Sequence, residues 1–182
     1  QQTERLLAID PATVSTNVLA ELTDACWVQP VPGLPAVTDS GAVLWHLDAG
    51  ETRHLTVDGV PVTPTGLQLR AVLGVDGDEV FFAASAEPTE RHLFTYRPGI
   101  GIRQLTTEPG VHAGARRDGT FVHVARRPGH ADSRLTVRRG DAPAVPIASF
   151  GETPPVELHV TRLALGPRRL RAALYLPSWY RE

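Results

Sequence analysis

Lysine and methionine are absent from this 182-residue chain, asparagine occurs once, at Asn17, and cysteine once, at Cys26. All 18 basic side chains are therefore arginine. They are scattered along the whole length, which reads as the codon bias of a GC-rich genome rather than as an anion site. One cysteine excludes an intrachain disulfide. It adjoins Trp27 in a stretch that reads as strand, so a buried, unreactive thiol is expected. No apolar run approaches the length of a membrane-spanning helix, and the opening QQTERLLAID lacks the apolar core of a signal peptide. Because residue 1 is Gln and not Met, further residues are expected upstream. The compartment stays open, with the single cysteine and the lack of a leader favouring the cytoplasm. A formal net charge of −2 argues against a nucleic-acid partner or an anionic membrane surface.

Catalytic signatures are equally scarce. There is no G-x-S-x-G nucleophile elbow, and neither H-E-x-x-H nor C-x-x-C occurs. Gly99-Ile100-Gly101 reads as a turn between strands. Asp76-Gly77-Asp78-Glu79 lacks the length and ligand spacing of a calcium loop and reads as a hairpin turn. The seven histidines are His46, His54, His92, His112, His123, His130 and His159. His54 and His92 share one repeat position, in Arg-His-Leu, and are expected to be buried and hydrogen-bonded; Glu51, Glu90 and Arg91 are expected in loop ion pairs. No catalytic, cofactor-binding or metal-binding residue is assigned.

What is present is a repeat. Sixteen glycines and sixteen prolines punctuate the chain, which favours many short strands. With 42% apolar and 21% charged residues the chain is globular. Three copies of one pattern follow each other. Each has a turn with glycine (Gly41, Gly77, Gly119), an apolar strand (VLW, VFFAA, FVHVA), a polar loop, a strand around leucine (Leu55, Leu93, Leu135) and a second turn. The leucines stand 38 and 42 residues apart, a period that marks propeller blades of about 40–50 residues. The apolar strands are continuous rather than alternating, as expected of strands covered on both faces.

The expected fold is all-β, a partial β-propeller of about three and a half four-stranded antiparallel blades plus an exit hairpin. Residues 1–150 form the incomplete propeller. A half blade lies at 5–20, with a turn at Asp10-Pro11, and blades at about 24–63, 67–106 and 111–148. The first strand of the first full blade is expected within 24–37 and to carry Trp27. Two longer strands at 156–177, joined at Gly166-Pro167, form the hairpin. Closed propellers have about 4–8 blades. An open arc would bare apolar flanks, so association with the rest of a larger protein, or with a second copy, is expected.

The run FFAASAEPTERHLFTY, followed by IRQLTTEPGVHAGARRDGTFVHVA, resembles the propeller of dipeptidyl peptidase IV-like serine peptidases, in the prolyl oligopeptidase family. The matching residues are Glu87-Pro88-Thr89-Glu90, Arg91-His92-Leu93-Phe94, Leu105-Thr106 and Pro109-Gly110-Val111-His112. VPGLPAVTDSGAVLWHLDAGETRHL resembles the preceding blade, and the hairpin ending Leu176-Pro177 resembles the passage into an α/β-hydrolase domain. The resemblance implies a non-catalytic propeller fragment whose parent is a hydrolase removing dipeptides from peptide N-termini. The fragment would act as scaffold and as gate on substrate access. The triad, and the acidic pair that holds the substrate's amino terminus, would lie outside this chain. Its partners would be the remaining blades, the hydrolase domain and, in the parent, a peptide substrate; no cofactor is implied. A stand-alone propeller that binds protein or sugar is the alternative. A G-x-S-x-G further along the reading frame would distinguish the two.

Overall fold

A computed structural model of the chain describes residues 2–130, 132–152, 155, 159–177 and 179–180. Its secondary structure, among those residues, is sixteen β-strands without a helix. Strands β1 (Thr3–Ile9) and β2 (Thr16–Thr23) form an antiparallel hairpin. Asp10 shapes its turn, the carboxylate accepting the amides of Ala12 and Thr13. Three four-stranded sheets follow, each paired in sequence order. The first holds β3 (Ala36–Val37), β4 (Val43–Ala49), β5 (Thr52–Val57) and β6 (Val60–Pro61). The second holds β7 (Gln68–Asp76), β8 (Glu79–Ser85), β9 (His92–Arg97) and β10 (Gly101–Gln104). The third holds β11 (Val111–Arg117), β12 (Thr120–Arg126), β13 (Ser133–Arg139) and β14 (Val145–Ile147). A last hairpin pairs β15 (His159–Leu165) with β16 (Leu170–Leu176). Residues 156–158, included in the predicted hairpin, lie outside the described residues.

The repeat glycines sit where the chain reverses. Gly77 separates β7 from β8 and Gly119 separates β11 from β12, with φ of 61° and 71°. A side chain is strained at such angles. The Asp78 carboxylate accepts the amide of Ser40 at 2.9 Å.

One expectation fails in the first sheet. Only Ala36–Val37 is strand there; residues 24–35 are not. Asp24 captures the amides of Cys26 (2.7 Å) and Trp27 (2.9 Å), a local turn that competes with sheet pairing. Pro30, Pro32 and Pro35 then deny the segment ladder donors. Cys26 is consequently exposed rather than a buried thiol, and Trp27 is 62% exposed. Val28 and Val31 nonetheless bury, and the loop is pinned to β7 by the Val72 amide on the Pro32 carbonyl at 2.9 Å. Gly33 is obligatory at that approach, because a Cβ there would lie 1.9 Å from the Val72 carbonyl oxygen.

The chain divides into two compact units. One contains the residues up to Ala84 with Phe94–Arg103, the other Ser85–Leu93 with the chain from Gln104 onward. The first unit's core comprises Leu44, Leu55, Leu69, Val80, Phe82 and Phe94, with the Phe82 and Phe94 rings stacked at 5.5 Å. The β8 run VFFAAS is buried at every position, as a strand covered on both faces should be. In the second unit the β15–β16 hairpin meets the Glu87–Glu90 loop through arginines. Arg171 donates two hydrogen bonds to Glu87 (2.8 and 2.7 Å), and Arg162 approaches Glu90 at 3.7 Å. Among the described residues Arg91 forms no such pair; it donates to the His112 carbonyl at 3.1 Å.

A shared clamp closes the first two blades. The Thr63 hydroxyl accepts the Leu55 amide at 3.0 Å, and the Thr106 hydroxyl accepts the Leu93 amide at 2.9 Å. Both leucines are fully buried. Replacing Thr106 with Val keeps the shape and orphans a buried N–H, so T106V should lower stability by about 1–3 kcal/mol. Urea unfolding checks this, and an unchanged midpoint would refute the clamp.

Candidate functional site

Histidines gather in the second unit. β11 and β12 are antiparallel with His112 opposite Ala125 and Gly114 opposite His123. Directly paired residues project to one face, so His112 and His123 are diagonal neighbours on it. Their rings lie 5.0 Å apart at 26°, and His112 Nδ1 is 2.8 Å from His123 Nε2. On the other side His112 stacks on His92 of β9 at 5.1 Å and 25°. Phe121 flanks His123 at 5.6 Å. Gly114 makes room for this column: a Cβ would meet the Val122 carbonyl oxygen at 2.4 Å and the Phe121 ring at 3.3 Å.

The hydrogen-bond order along the column follows from one carbonyl. His112 Nε2 lies 2.7 Å from the Glu108 backbone oxygen, which can only accept, so Nε2 carries the proton. In the neutral ring Nδ1 is then an acceptor, and His123 Nε2–H must donate to it. The ring nitrogen left basic is His123 Nδ1. Burial is the main influence holding both rings below the ordinary histidine pKa; His92 adds to it for His112, and His112 adds to it for His123.

The column opens on a cavity of about 230 Å³ walled by Thr107, Glu108, His112, His123, Arg134 and Thr136. The arrangement can accept a proton or a hydrogen bond and can offer the Arg134 guanidinium. Among the described residues no cluster of three or more His, Cys, Asp or Glu is arranged to hold a metal ion.

The histidines weighed in the sequence are distributed differently. His54 is buried in the first blade with Nδ1 on the Thr63 carbonyl at 2.8 Å. His92 is buried too, with Nε2 on Glu90 at 3.0 Å and Nδ1 on the Thr106 hydroxyl at 3.3 Å. His46 meets Glu4 of the N-terminal hairpin at 3.1 Å. His130 and His159 are exposed. The column therefore joins His92 to two histidines at other repeat positions, and the repeat could not point to the group. The signal available was register, since the Asp118-Gly119 turn alone fixes His112 and His123 as diagonal neighbours.

No family model matches the sequence, and no curated protein matches it. Among solved structures the chain is similar to the crystal structure of Porphyromonas gingivalis dipeptidyl peptidase 4, with a TM-score of 0.68 over 96% of this chain at 11% identity. The fold is a partial β-propeller. This chain spans 28% of the length of that one.

The histidine pair carries a pH signature. A lowered folded-state pKa means that the unfolded chain binds more protons just below its own value of about 6.5. The stabilisation is thus complete above about pH 6.5 and is lost as pH falls towards the folded-state values. The carboxylates held low in the fold, Asp48 by Arg53 and Asp78 by the Ser40 amide, act only in a more acidic range. Thermal melts should therefore show a falling melting temperature between pH 7.5 and 5.5. His123→Gln, which keeps a donor to His112 and cannot titrate, should flatten that fall. Parallel pH profiles for the two proteins would contradict the assignment.

Proposed function

We propose that this chain is a propeller segment of a serine-type dipeptidyl peptidase, contributing scaffold and substrate-access gate rather than the nucleophile. The observation that carries the reading is the likeness to a dipeptidyl peptidase 4 over nearly the whole chain. Two sequence features support it. The Glu87–His92 and Leu105–His112 passages resemble that family's propeller text, and the 182 residues contain no G-x-S-x-G. In this reading the parent hydrolyses the second peptide bond of its substrates through a serine acyl-enzyme, with the triad on a domain outside this chain. The blades wall the chamber and exclude bulky chains. The β15–β16 hairpin leads towards the catalytic domain, its arginines set on the Glu87–Glu90 loop.

The purified 182-residue chain should release no chromophore from glycyl-prolyl p-nitroanilide above the buffer rate. Turnover that a serine-directed phosphonate abolishes would overturn the reading. Extending the reading frame tests the other half. A nucleophile elbow downstream supports the peptidase, whereas a stop codon or further blades favour a propeller that only binds.

A further inference from the structure

We propose that the cavity over the histidine pair is a binding site for a small monocarboxylate, taken up together with one proton. The argument starts from the charges that face the cavity. Arg134 from β13 and Glu108 from the preceding loop both line it. His112 faces His123 from β11, and His92 and Glu90 stand behind His112. Apart from its backbone pairing opposite Ala125, Arg134 has no ion-pair or side-chain hydrogen-bond partner among the described residues, so its guanidinium is available to an anion. With the histidines neutral, Arg134 and Glu108 cancel and the wall has no net charge.

The hydrogen-bond order admits one proton and not two. Protonation at His123 Nδ1 leaves both existing bonds intact, since His123 Nε2–H still donates to His112 Nδ1 and His112 Nε2–H to the Glu108 carbonyl. A second proton, on His112 Nδ1, would set two N–H groups against each other at 2.8 Å. The singly protonated wall carries one net positive charge. That matches a monoanion, whose charge would meet the Arg134 fork and the His123 ring, with the Thr107 and Thr136 hydroxyls as further donors. A dianion would leave charge unbalanced beside Glu108. Size agrees: at about 30 Å³ per water, 230 Å³ holds a short acid with a few waters.

Binding coupled to proton uptake raises the apparent pKa of the group that takes the proton. Two-dimensional NMR of the histidine rings, recorded against pH in sodium acetate and in sodium chloride at equal ionic strength, reads this directly. Acetate should raise the His123 titration midpoint, by about one pH unit at tenfold excess over its dissociation constant, and the rise should saturate. N-acetylglycine run alongside separates two sources of the carboxylate. A larger rise than with acetate marks the carboxyl end of a peptide, and a smaller one marks a free short-chain acid; either supports the site. Arg134→Gln, an exposed substitution whose fold is checked by its melting curve, should remove the rise without removing the His123 titration. Equal midpoints in acetate and chloride would overturn the proposal, as would a rise that persists in R134Q or that climbs linearly without saturating.

Discussion

The amide at the middle of a blade's third strand has no water to turn to. Leu55 and Leu93 are completely enclosed, and a buried N–H left unpaired is destabilising by more than an ordinary hydrogen bond gains. In the first two blades the acceptor is a threonine hydroxyl rather than a ladder carbonyl. Its placement depends on the residue before it: the Val62 amide donates to the Leu55 carbonyl at 2.9 Å, and the Leu105 amide to the Leu93 carbonyl at 2.8 Å. That bond brings Thr63 and Thr106 opposite the leucine amides. The histidine preceding each leucine then closes on the same threonine. The fourth strand can thus be as short as Val60–Pro61 and still seal the blade.

Much of this was legible in residue order. Turn glycines with positive φ, the continuous apolar second strand and the central leucine are local features, and each copy repeats them. The stretch from Asp24 to Pro35 reads as strand in the sequence, and the burial expected of Cys26 was inferred from that reading. Val28 and Val31 are buried as anchors of a loop, while the Asp24 carboxylate and three prolines remove the amides that a strand would need. Apolar content says which residues leave water. It does not say whether their backbone groups pair with a neighbour strand.

The histidine column was half legible. Its pairing of His112 with His123 follows from a two-residue turn and strand alternation. Its burial does not, because the ring that covers His112 comes from β9 and the carbonyl that orders its protons comes from the Glu108 loop. Those placements depend on how successive blades meet, and a repeat compares equivalent positions only. The glutamates of the Glu87–Glu90 loop show the same limit. A loop ion pair was expected of Glu90 but not of Glu87, and nothing local revealed that they would face Arg162 and Arg171, more than seventy residues onward.

A single substitution between repeats has a consequence that composition hides. Thr52-Arg53-His54-Leu55 and Glu90-Arg91-His92-Leu93 differ only at the first position, and the two histidines are protonated on opposite nitrogens. In the first blade His54 Nδ1 faces the Thr63 carbonyl, an obligate acceptor, so the proton sits on Nδ1. In the second blade Glu90 takes that role from the other side. Its ionised carboxylate at 3.0 Å requires a donor at His92 Nε2, and a neutral ring then offers a bare Nδ1 to the Thr106 hydroxyl. The hydroxyl donates to His92 while accepting the Leu93 amide, so its donor and one acceptor lobe are both engaged. In the first blade no such demand falls on Thr63, whose carbonyl carries the bond. Glu90 therefore does more than face Arg162: it sets the direction of the His92–Thr106 hydrogen bond, while the Leu93 and Leu105 amides donate whichever way His92 is protonated. The two copies are alike in sequence and reach the same closure through reversed proton positions.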